Sequence, residues 1–304
     1  FALLHFIESR RLNCDLNLSL GNTFAMDIYQ PRGGVHKAWA EREIARYPKR
    51  LRRIMGIIRR MYLKNLVQEL TEWLTFSITR PRVIAISDMI RDDILRIYCY
   101  PPDKIHLIPN SIDKKRFKRE NIIYRSEIRS LYGLNEKDFV FLFVSNNLRL
   151  KGFDLIVEAC RDLAGVSFKV LIVGDDASWA EAVLIRKGLH DKIKLVGKSR
   201  CIEKIYPACD CLVHPTYYDA CSRVVLEALA SDIPVITTEA NGAKMYVSKK
   251  NGCIIPAGDH RALSEAMRNM IGSQKVPNLT IMFKDHTETF AELEGMFEEC
   301  LQKR

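Results

Sequence analysis

The sequence lacks long apolar runs and any regular cysteine framework. No segment approaches ~18 uninterrupted apolar residues, which excludes a membrane-spanning helix of ordinary length. Its nine cysteines follow no repeated spacing, and Cys209 and Cys211 form a CxC pair without His or Cys partners at zinc-site distance. We therefore predict reduced thiols in the core, no metal site and a cytoplasmic protein.

Composition and pattern favour an α/β fold with two cores. The chain has 304 residues, of which 47% are hydrophobic. Short apolar runs alternate with amphipathic segments, which is typical of doubly wound parallel sheets. The predicted strands cover residues 16–20, 25–29, 82–87, 139–145, 169–173, 193–196, 211–214 and 234–236.

The most informative segment is HPTYYDACSRVVLEALASDIPVITT, residues 214–238. An apolar strand ends at its first residue, and a helix is predicted to begin near Ala220. Asp219 would then be the N-cap, and Glu227 would lie ~12 Å further along the axis at ~1.5 Å per residue. That separation is comparable to the distance between the ribose and the hexose of a nucleotide-sugar.

The start of this helix is also a candidate anion site. Free N–H groups of Cys221, Ser222 and Arg223 would favour a diphosphate. The plainer interpretation is that Asp219 caps the helix and Glu227 is solvated, and the spacing alone favours that one.

A basic loop follows the predicted strand at residues 139–145. It contains Asn146, Arg149 and Lys151 and leads through Gly152 into an amphipathic helix. A cation here would stabilise the charge that grows on a leaving phosphate. A solvated basic turn is the alternative, and the segment at 214–238 makes it the weaker one.

Together these motifs resemble the donor-site signature of the family 4 glycosyltransferases. In that signature an acidic residue, seven further residues and a glutamate follow an HP strand end and precede a PV(I/L) strand, as they do here. The resemblance implies that Asp219 contacts hydroxyls of the donor hexose and that Glu227 contacts the ribose. Asp219 replaces the commoner glutamate, and Ser222 stands where glycine is usual.

The resemblance also covers the basic loop. Lys151 and Gly152 match a Lys-Gly pair whose lysine, with an earlier arginine, neutralises the leaving diphosphate. Asn146 occupies the place of that arginine, so Arg149 is the expected substitute. The resemblance thus implies a catalytic group of Asp219, Lys151 and Arg149, and donor-binding residues Asn146, Gly174, Lys198, Cys201, Cys221, Ser222, Arg223 and Glu227.

The fold implied by the resemblance is GT-B, in which two Rossmann-like doubly wound parallel-sheet domains face a cleft. We expect a partial acceptor-binding domain at residues 1–113 and a donor-binding domain at residues 114–285. A helix at residues 286–304 should cross back to the first domain. The first strand and the Gly-rich loop that family members place beside the acceptor are missing, so we expect the first domain to be incomplete.

Positive charge is concentrated between residues 46 and 64. This stretch holds eight cations and no acid in a chain of net charge +10. Its apolar residues recur at roughly helical spacing, which predicts one amphipathic helix from Arg46 to Lys64. We expect its apolar side to pack on the N-terminal sheet. The cations would either be solvated or bind an anionic membrane surface, and the core-facing side makes nucleic acid a poor partner.

The loop at residues 27–37 lies in the domain expected to bind the acceptor. Gly33 and Gly34 could offer backbone N–H groups to an acceptor phosphate, with His36 beside them, or they could form a tight turn. The general layout and the basic helix also resemble the bacterial lipopolysaccharide core glucosyltransferase I group.

The resemblance implies a retaining glycosyltransferase that moves a hexose from a nucleoside-diphosphate sugar to a glycan or glycolipid acceptor. Lipopolysaccharide or another cell-surface polysaccharide would be the product, made on the inner face of the cytoplasmic membrane. No cofactor or metal is expected, because helix N–H groups and cations can stabilise the phosphates. A nucleotide-sugar epimerase of the same fold and a non-catalytic nucleotide-sugar binding protein are the alternatives.

Overall fold

The chain divides into two compact units in a computed structural model that describes all residues except 1, 13, 22, 24, 46, 175–177, 274–282, 303 and 304. The first unit comprises Phe1–Ser111, Asp219–Cys221 and His286–Arg304. The second comprises Ile112–Tyr218 and Ser222–Asp285. Each unit contains one sheet with every strand pair parallel, as predicted from the alternating pattern.

The first unit has a four-stranded sheet in the order β1-β2-β3-β4. Its strands are β1 (Leu18–Ser19), β2 (Ile28–Tyr29), β3 (Arg82–Ala85) and β4 (Ile105–Leu107). Its helices are α1 (Ala2–Arg11), α2 (His36–Ala45), α3 (Lys49–Met61), α4 (Leu63–Trp73) and α5 (Asp88–Tyr98), with a π-helical turn at Leu74–Thr79. Three of the strands lie inside predicted runs. β4 was not predicted.

The last helix belongs to the core of the first unit. This helix, designated α12, covers His286–Gln302. Its Met296 and Cys300 are buried with Ile28 of β2, Ile84 of β3 and Ile108. Apolar residues from distant parts of the chain therefore close this core.

The predicted basic helix is two helices. α3 ends at Met61 and α4 begins at Leu63, because Tyr62 between them has extended backbone. Arg46 lies outside the described residues. No helix in the described part of the chain is both long and apolar enough to cross a membrane.

The apolar stripe of α3 does not pack on the sheet, contrary to expectation. Ile54 is 53% exposed and Met61 is 78% exposed, and the stripe continues onto α4 through exposed Leu63 and Leu66. Arg59 is instead the residue of α3 that is buried. Its guanidinium donates to Glu69 at 2.7 Å and to Glu43 at 3.2 Å. The helix therefore turns a cation inward and apolar side chains outward.

The second unit has a six-stranded sheet in the order β10-β9-β8-β5-β6-β7. Its strands are β5 (Val140–Ser145), β6 (Lys169–Gly174), β7 (Ile193–Gly197), β8 (Cys211–His214), β9 (Val235–Thr238) and β10 (Gly252–Ile255). Its helices are α6 (Arg125–Leu131), α7 (Phe153–Asp162), α8 (Ser178–Arg186), α9 (Ile202–Ile205), α10 (Arg223–Ala230) and α11 (His260–Gly272). Buried side chains of α7, α8 and α11 share one apolar cluster with alternate residues of the strands. β10 was not predicted.

A buried carboxylate joins the amino ends of β5 and β8. Asp210 accepts the backbone N–H of Val140 and a guanidinium N–H of Arg129, both at 2.8 Å. Arg125 donates to the other oxygen of Asp210, also at 2.8 Å. Arg129 is fully buried, so removal of Asp210 would leave a buried positive charge without its counter-ion. This cluster fixes the two strands whose opposite ends carry the candidate site.

Candidate functional site

The order of the second sheet predicts where a ligand binds. From β5 the chain builds outward through β6 and β7, then returns to place β8, β9 and β10 on the other side of β5. Parallel α/β sheets bind ligands at the carboxyl ends of their strands, where the order reverses. Here that point lies between β5 and β8, which lead into the loops at residues 146–152 and 215–222.

The two loops are in direct contact. The backbone N–H of Tyr217 donates to the carbonyl oxygen of Leu150 at 3.1 Å. Gly152 has a φ of 86° and lies so close to Pro215 that a Cβ atom would collide with the proline carbonyl oxygen. The Lys151 ammonium donates to the carbonyl oxygen of Tyr218 at 3.3 Å. The structure therefore brings together the basic loop and the segment that leads into Asp219.

Three other predicted site residues lie at or shortly after the carboxyl ends of β5 and β6. Gly174 ends β6 with a φ of 141°, and a Cβ atom there would collide with the carbonyl oxygen of Ser145. Close packing of β5 and β6 thus explains this glycine. Asn146 is exposed, and Arg149 places its guanidinium 4.7 Å from the centre of the Trp179 ring. Their contacts with a donor remain predictions.

The helix after β8 begins later than predicted. Ser222 is the N-cap and Arg223 the first residue of α10, so Asp219 does not cap the helix. The Ser222 N–H donates to Oδ1 of Asn241 at 3.2 Å and is not free for a phosphate. Asn241 is fully buried and accepts the Ala243 N–H as well. Because the residues before Arg223 are not helical, the axial distance of ~12 Å does not apply to Asp219 and Glu227.

Glu227 is not a solvated surface carboxylate. It lies in α10 and is partly buried, and the hydroxyl of Tyr206 donates to its Oε2 at 2.7 Å. Burial raises the pKa of Glu227 above its usual value. The Tyr206 hydrogen bond and the charges of Arg116 and Arg223 act in the opposite direction on this pKa.

Sequence reasoning missed Arg116, which lies near the start of the predicted donor-binding domain. Its guanidinium donates to Glu203 at 2.9 Å and to the carbonyl oxygen of Arg200 at 3.3 Å. Lys198 and Cys201, both exposed, flank that carbonyl in the loop after β7. Arg116 therefore ties the loop that carries these two predicted donor-binding residues to the start of the second unit. The sequence alone does not show which acceptor each cation of a Lys/Arg-rich stretch binds.

Cys221 has a different environment from the predicted one. It precedes the N-cap of α10, and only 4% of it is exposed. Cys221 therefore does not lie in the first turn of α10, and its thiol is shielded from solvent. Cys14, Cys99 and Cys201 are the exposed cysteines among the described residues.

A thiol reagent should accordingly label Cys201 well before Cys221, because labelling requires access to the sulfur. If the loop at residues 198–201 contacts a bound nucleotide, nucleoside diphosphate should slow the reaction of Cys201. Cys99, which lies in the first unit, serves as the internal control. Peptide mass spectrometry after timed alkylation measures all three. Faster labelling of Cys221 than of Cys201 would contradict the burial described above.

The predicted acceptor loop is a tight turn. The backbone N–H groups at the start of the helix that follows it already have an acceptor. The Gly34 N–H donates to the carbonyl oxygen of Pro31 at 2.9 Å, as in a turn. At the start of α2, the carboxylate of Glu72 accepts the N–H of His36 at 2.5 Å and that of Lys37 at 3.1 Å. The His36 N–H is therefore not available to a phosphate. Gly33 lies in the same turn, and its contact with an acceptor remains a prediction.

The side chain of His36 is held by a cation. Its Nε2 lies 2.7 Å from a guanidinium nitrogen of Arg59. Burial, and then the charge of Arg59, lower the pKa of His36 below its usual value. A neutral imidazole that accepts from Arg59 fits this contact. His36 and Arg59 therefore have a structural role, in which their contact links α2 to α3.

Two further observations concern other possible ligand sites in the described part of the chain. Within the described ranges, no group of three or more His, Cys, Asp or Glu side chains is arranged to hold a metal ion. A cleft of about 480 Å³ lies at the opposite, amino ends of the strands, where it is lined by Phe139, Asp210, Pro234 and Gly252. None of the predicted donor residues lines it. We place the candidate site at the carboxyl ends, where the predicted motifs meet.

Comparisons with known proteins indicate the family of the chain. The sequence profile of the family described as "Glycosyl transferases group 1" matches residues 125–281. The lipopolysaccharide glucosyltransferase WaaG of Escherichia coli (strain K12) is 26% identical over 197 residues, which is 62% of this chain and 53% of that protein. The chain spans about half the length of the curated relatives it matches.

Solved structures show the same fold. A crystal structure of WaaG, a glycosyltransferase involved in lipopolysaccharide biosynthesis, superposes with a TM-score of 0.74 at 20% identity, covering 99% of this chain and 75% of that one. Anabaena Alr3699/HepE in complex with UDP-glucose gives 0.66 at 19% identity, covering 90% and 72%. At these identities the likeness concerns the fold.

Proposed function

Since the chain belongs to the glycosyl transferases group 1 family, we propose that it is a retaining hexosyltransferase that uses a nucleoside-diphosphate sugar. Its two parallel-sheet units have the GT-B fold. The acceptor would be a glycan or a glycolipid, in the synthesis of lipopolysaccharide or another cell-surface polysaccharide. The names of relatives such as the glucosyltransferase WaaG support this class of product.

The observation that carries the proposal is the contact between the two loops at the switch point of the second sheet. Lys151 meets the carbonyl of Tyr218 there, directly before Asp219. Glu227, with its carboxylate partly buried, follows in the next helix. A cation and a carboxylate before α10, with a second carboxylate inside that helix, suit the phosphates, the hexose and the ribose of a nucleotide-sugar.

In the proposed mechanism no protein nucleophile is needed. The bond between the anomeric carbon and the diphosphate breaks, and the acceptor hydroxyl attacks from the same face. The leaving phosphate takes the hydroxyl proton. Lys151 and Arg149, with N–H groups at the start of α10, would stabilise the growing phosphate charge without a metal. Asp219 would orient the hexose.

Glu227→Ala should weaken nucleotide binding by ~1.5–3 kcal/mol, because a hydrogen bond to a charged group contributes about that much. Titration of the full chain with UDP, GDP and ADP by calorimetry measures it, and UDP is the first probe because HepE was solved with UDP-glucose. Asp219→Ala should leave the affinity for free nucleotide unchanged but depress sugar transfer. Equal losses of nucleotide affinity in both variants would refute this division of roles.

Glu158→Ala is a matched control for these titrations. Glu158 lies in α7 and pairs with Arg161 and Lys187 on the surface. Its removal should change neither nucleotide affinity nor transfer. A folded wild-type chain that binds none of the three nucleotides would overturn the proposed function, whereas sugar interconversion without acceptor would indicate an epimerase.

We also propose that α3 and α4 bind an anionic membrane surface, which would keep the enzyme on the inner face of the cytoplasmic membrane. The exposed cations of α3 lie on the same two helices as the exposed apolar stripe. Apolar side chains beside cations suit insertion at the boundary between headgroups and acyl chains. Arg59 does not contribute, since it is buried against Glu43 and Glu69. Arg52 is partly occupied too, donating to the carbonyl oxygens of Tyr47 and Ala45.

A further inference from the structure

Tyr206 is a fully buried tyrosine whose hydroxyl meets a carboxylate. It begins a short helical turn, Tyr206–Ala208, directly after α9. Its hydroxyl lies 2.7 Å from Oε2 of Glu227 and 3.3 Å from the carbonyl oxygen of Val224. Burial, and then the negative charge of Glu227, raise the pKa of Tyr206 well above its usual value. The hydroxyl therefore remains a donor throughout the pH range in which enzymes work.

The hydrogen bond leaves one carboxylate oxygen of Glu227 unoccupied. Oε2 accepts from Tyr206, whereas Oε1 accepts no hydrogen bond from any residue that the structure describes. A partly buried carboxylate with one oxygen fixed can accept hydrogen bonds from a ligand in a defined direction. The two hydroxyls of a ribose are suitable donors.

The turn that carries Tyr206 is itself held on several sides. Arg125 donates to the carbonyl oxygen of Pro207 at 2.8 Å, and Arg129 donates to that of Ala208 at 2.9 Å. The ring of Phe117 packs edge-on against Tyr206, with 5.9 Å between the ring centres. Both arginines also bind Asp210, so the turn is anchored to the core of the second unit. The position of the hydroxyl is therefore set by the fold and not by the ligand.

We propose that Tyr206 is a positioning residue for nucleotide recognition: its hydroxyl fixes Oε2 of Glu227 so that Oε1 receives a ribose hydroxyl. This inference rests on the proposed function, because it requires that Glu227 bind ribose. It assigns to Tyr206 no contact with the donor and no part in the chemical step. Its effect should therefore appear in recognition of the ribose hydroxyls and not in the chemical step.

The test compares ribose with a sugar that lacks both hydroxyls. UDP, GDP and ADP are titrated into the full chain, and the one that binds most tightly is compared with its 2′,3′-dideoxy form. Tyr206→Phe should weaken the ribonucleotide about three- to tenfold, as expected for one hydrogen bond, and leave the dideoxy form unchanged. The preference for the ribonucleotide over its dideoxy form should therefore be smaller in the variant than in the wild type by the same factor.

The pH dependence of ribonucleotide affinity is a second measurement. A simple loss of packing around Tyr206 would not change it. Protonation neutralises the Glu227 carboxylate and weakens it as a hydrogen-bond acceptor, so ribonucleotide affinity should fall as pH drops through the pKa of this carboxyl. The Tyr206 hydrogen bond lowers that pKa against the effect of burial, with Arg116 and Arg223 as the other charged groups acting on it. In Tyr206→Phe the pKa should rise further, and the loss of affinity should begin at a higher pH.

Phe117→Leu is the matched control, because it removes packing against Tyr206 but keeps the hydroxyl. It should leave both the ribose preference and the pH profile in place. Equal ribose preference in wild type and Tyr206→Phe, or a parallel loss for the ribonucleotide and its dideoxy form, would overturn the inference while the proposed function stands. If the folded wild type binds none of the three nucleotides, the proposed function fails and this inference fails with it.

Discussion

Lys151→Ala should lower kcat for sugar transfer by about 10²–10³, the usual cost of removing one group that stabilises charge in a transition state. The ammonium already meets the loop of Tyr218 at the switch point, where we place the leaving diphosphate. In the proposed mechanism its interaction would strengthen as the glycosidic bond breaks and negative charge builds on that phosphate. Steady-state rates at saturating donor and acceptor measure the loss.

Two further variants sharpen this experiment. Lys151→Arg keeps the charge but replaces a compact ammonium by a planar guanidinium, so it should restore part of the rate. Lys187→Ala removes a lysine that pairs with Glu158 on the surface and should leave kcat unchanged. A folded Lys151→Ala variant with the kcat of the wild type would remove this residue from the mechanism.

Charge reversal on α3 should abolish binding to anionic vesicles. Each exposed cation contributes ~1 kcal/mol near such a surface, so four of them contribute ~4 kcal/mol, or about 10³-fold in partitioning. The variant replaces Lys49, Arg50, Arg53 and Arg60 by glutamate. It keeps Arg59, because without Arg59 the carboxylates of Glu43 and Glu69 would lose their ion-pair partner. Cosedimentation with phosphatidylglycerol-containing vesicles gives the partition coefficient. Raising the salt concentration should weaken wild-type binding through screening.

The control is an equal reversal elsewhere. Lys137, Arg186, Arg261 and Arg268 are exposed cations of the second unit, and replacing them by glutamate gives the same change in net charge. That variant should still sediment with the vesicles. If the α3 variant binds as well as the wild type, its cations are only solvated. Calorimetric titration with nucleotide should be unaffected in both variants.

The sequence was informative wherever a local pattern determines the structure. Alternation of apolar runs and amphipathic segments predicted the α/β class and most strands, and the family resemblance and fold were confirmed. The contact between the basic loop and the segment after β8 follows from topology, because both loops leave adjacent parallel strands. β4 and β10 were not predicted: His106 interrupts the apolar run of β4, and β10 has only three apolar residues after a glycine.

Errors at the site come from partners that are distant in sequence. Asn241 binds the Ser222 N–H and shifts the start of α10, although 19 positions separate the two residues. Glu72 accepts the backbone N–H at the start of α2, although it lies 36 positions further along the chain. The pairing of Tyr206 with Glu227 spans 21 positions and crosses β8. No local propensity reports such contacts, since each depends on how the elements pack.

The basic segment shows a different limit of pattern reasoning. Helical spacing of apolar residues indicated an amphipathic structure, but spacing does not identify what covers the apolar side. The core of the first unit is built from β2, β3 and α12 instead. The burial of Arg59 followed from three acceptors, Glu43, Glu69 and His36, none of which is predictable from charge counting.

The place of α12 in the core of the first unit has a consequence for biosynthesis. A chain that folds as it leaves the ribosome generally completes its N-terminal domain first. Here Ile28, Ile84 and Ile108 stay without their partners Met296 and Cys300 until residues 286–302 have been made. The second unit, which ends at Asp285, can acquire its full complement of residues earlier. The nascent first unit therefore lacks part of its core while every residue of the second unit is already available.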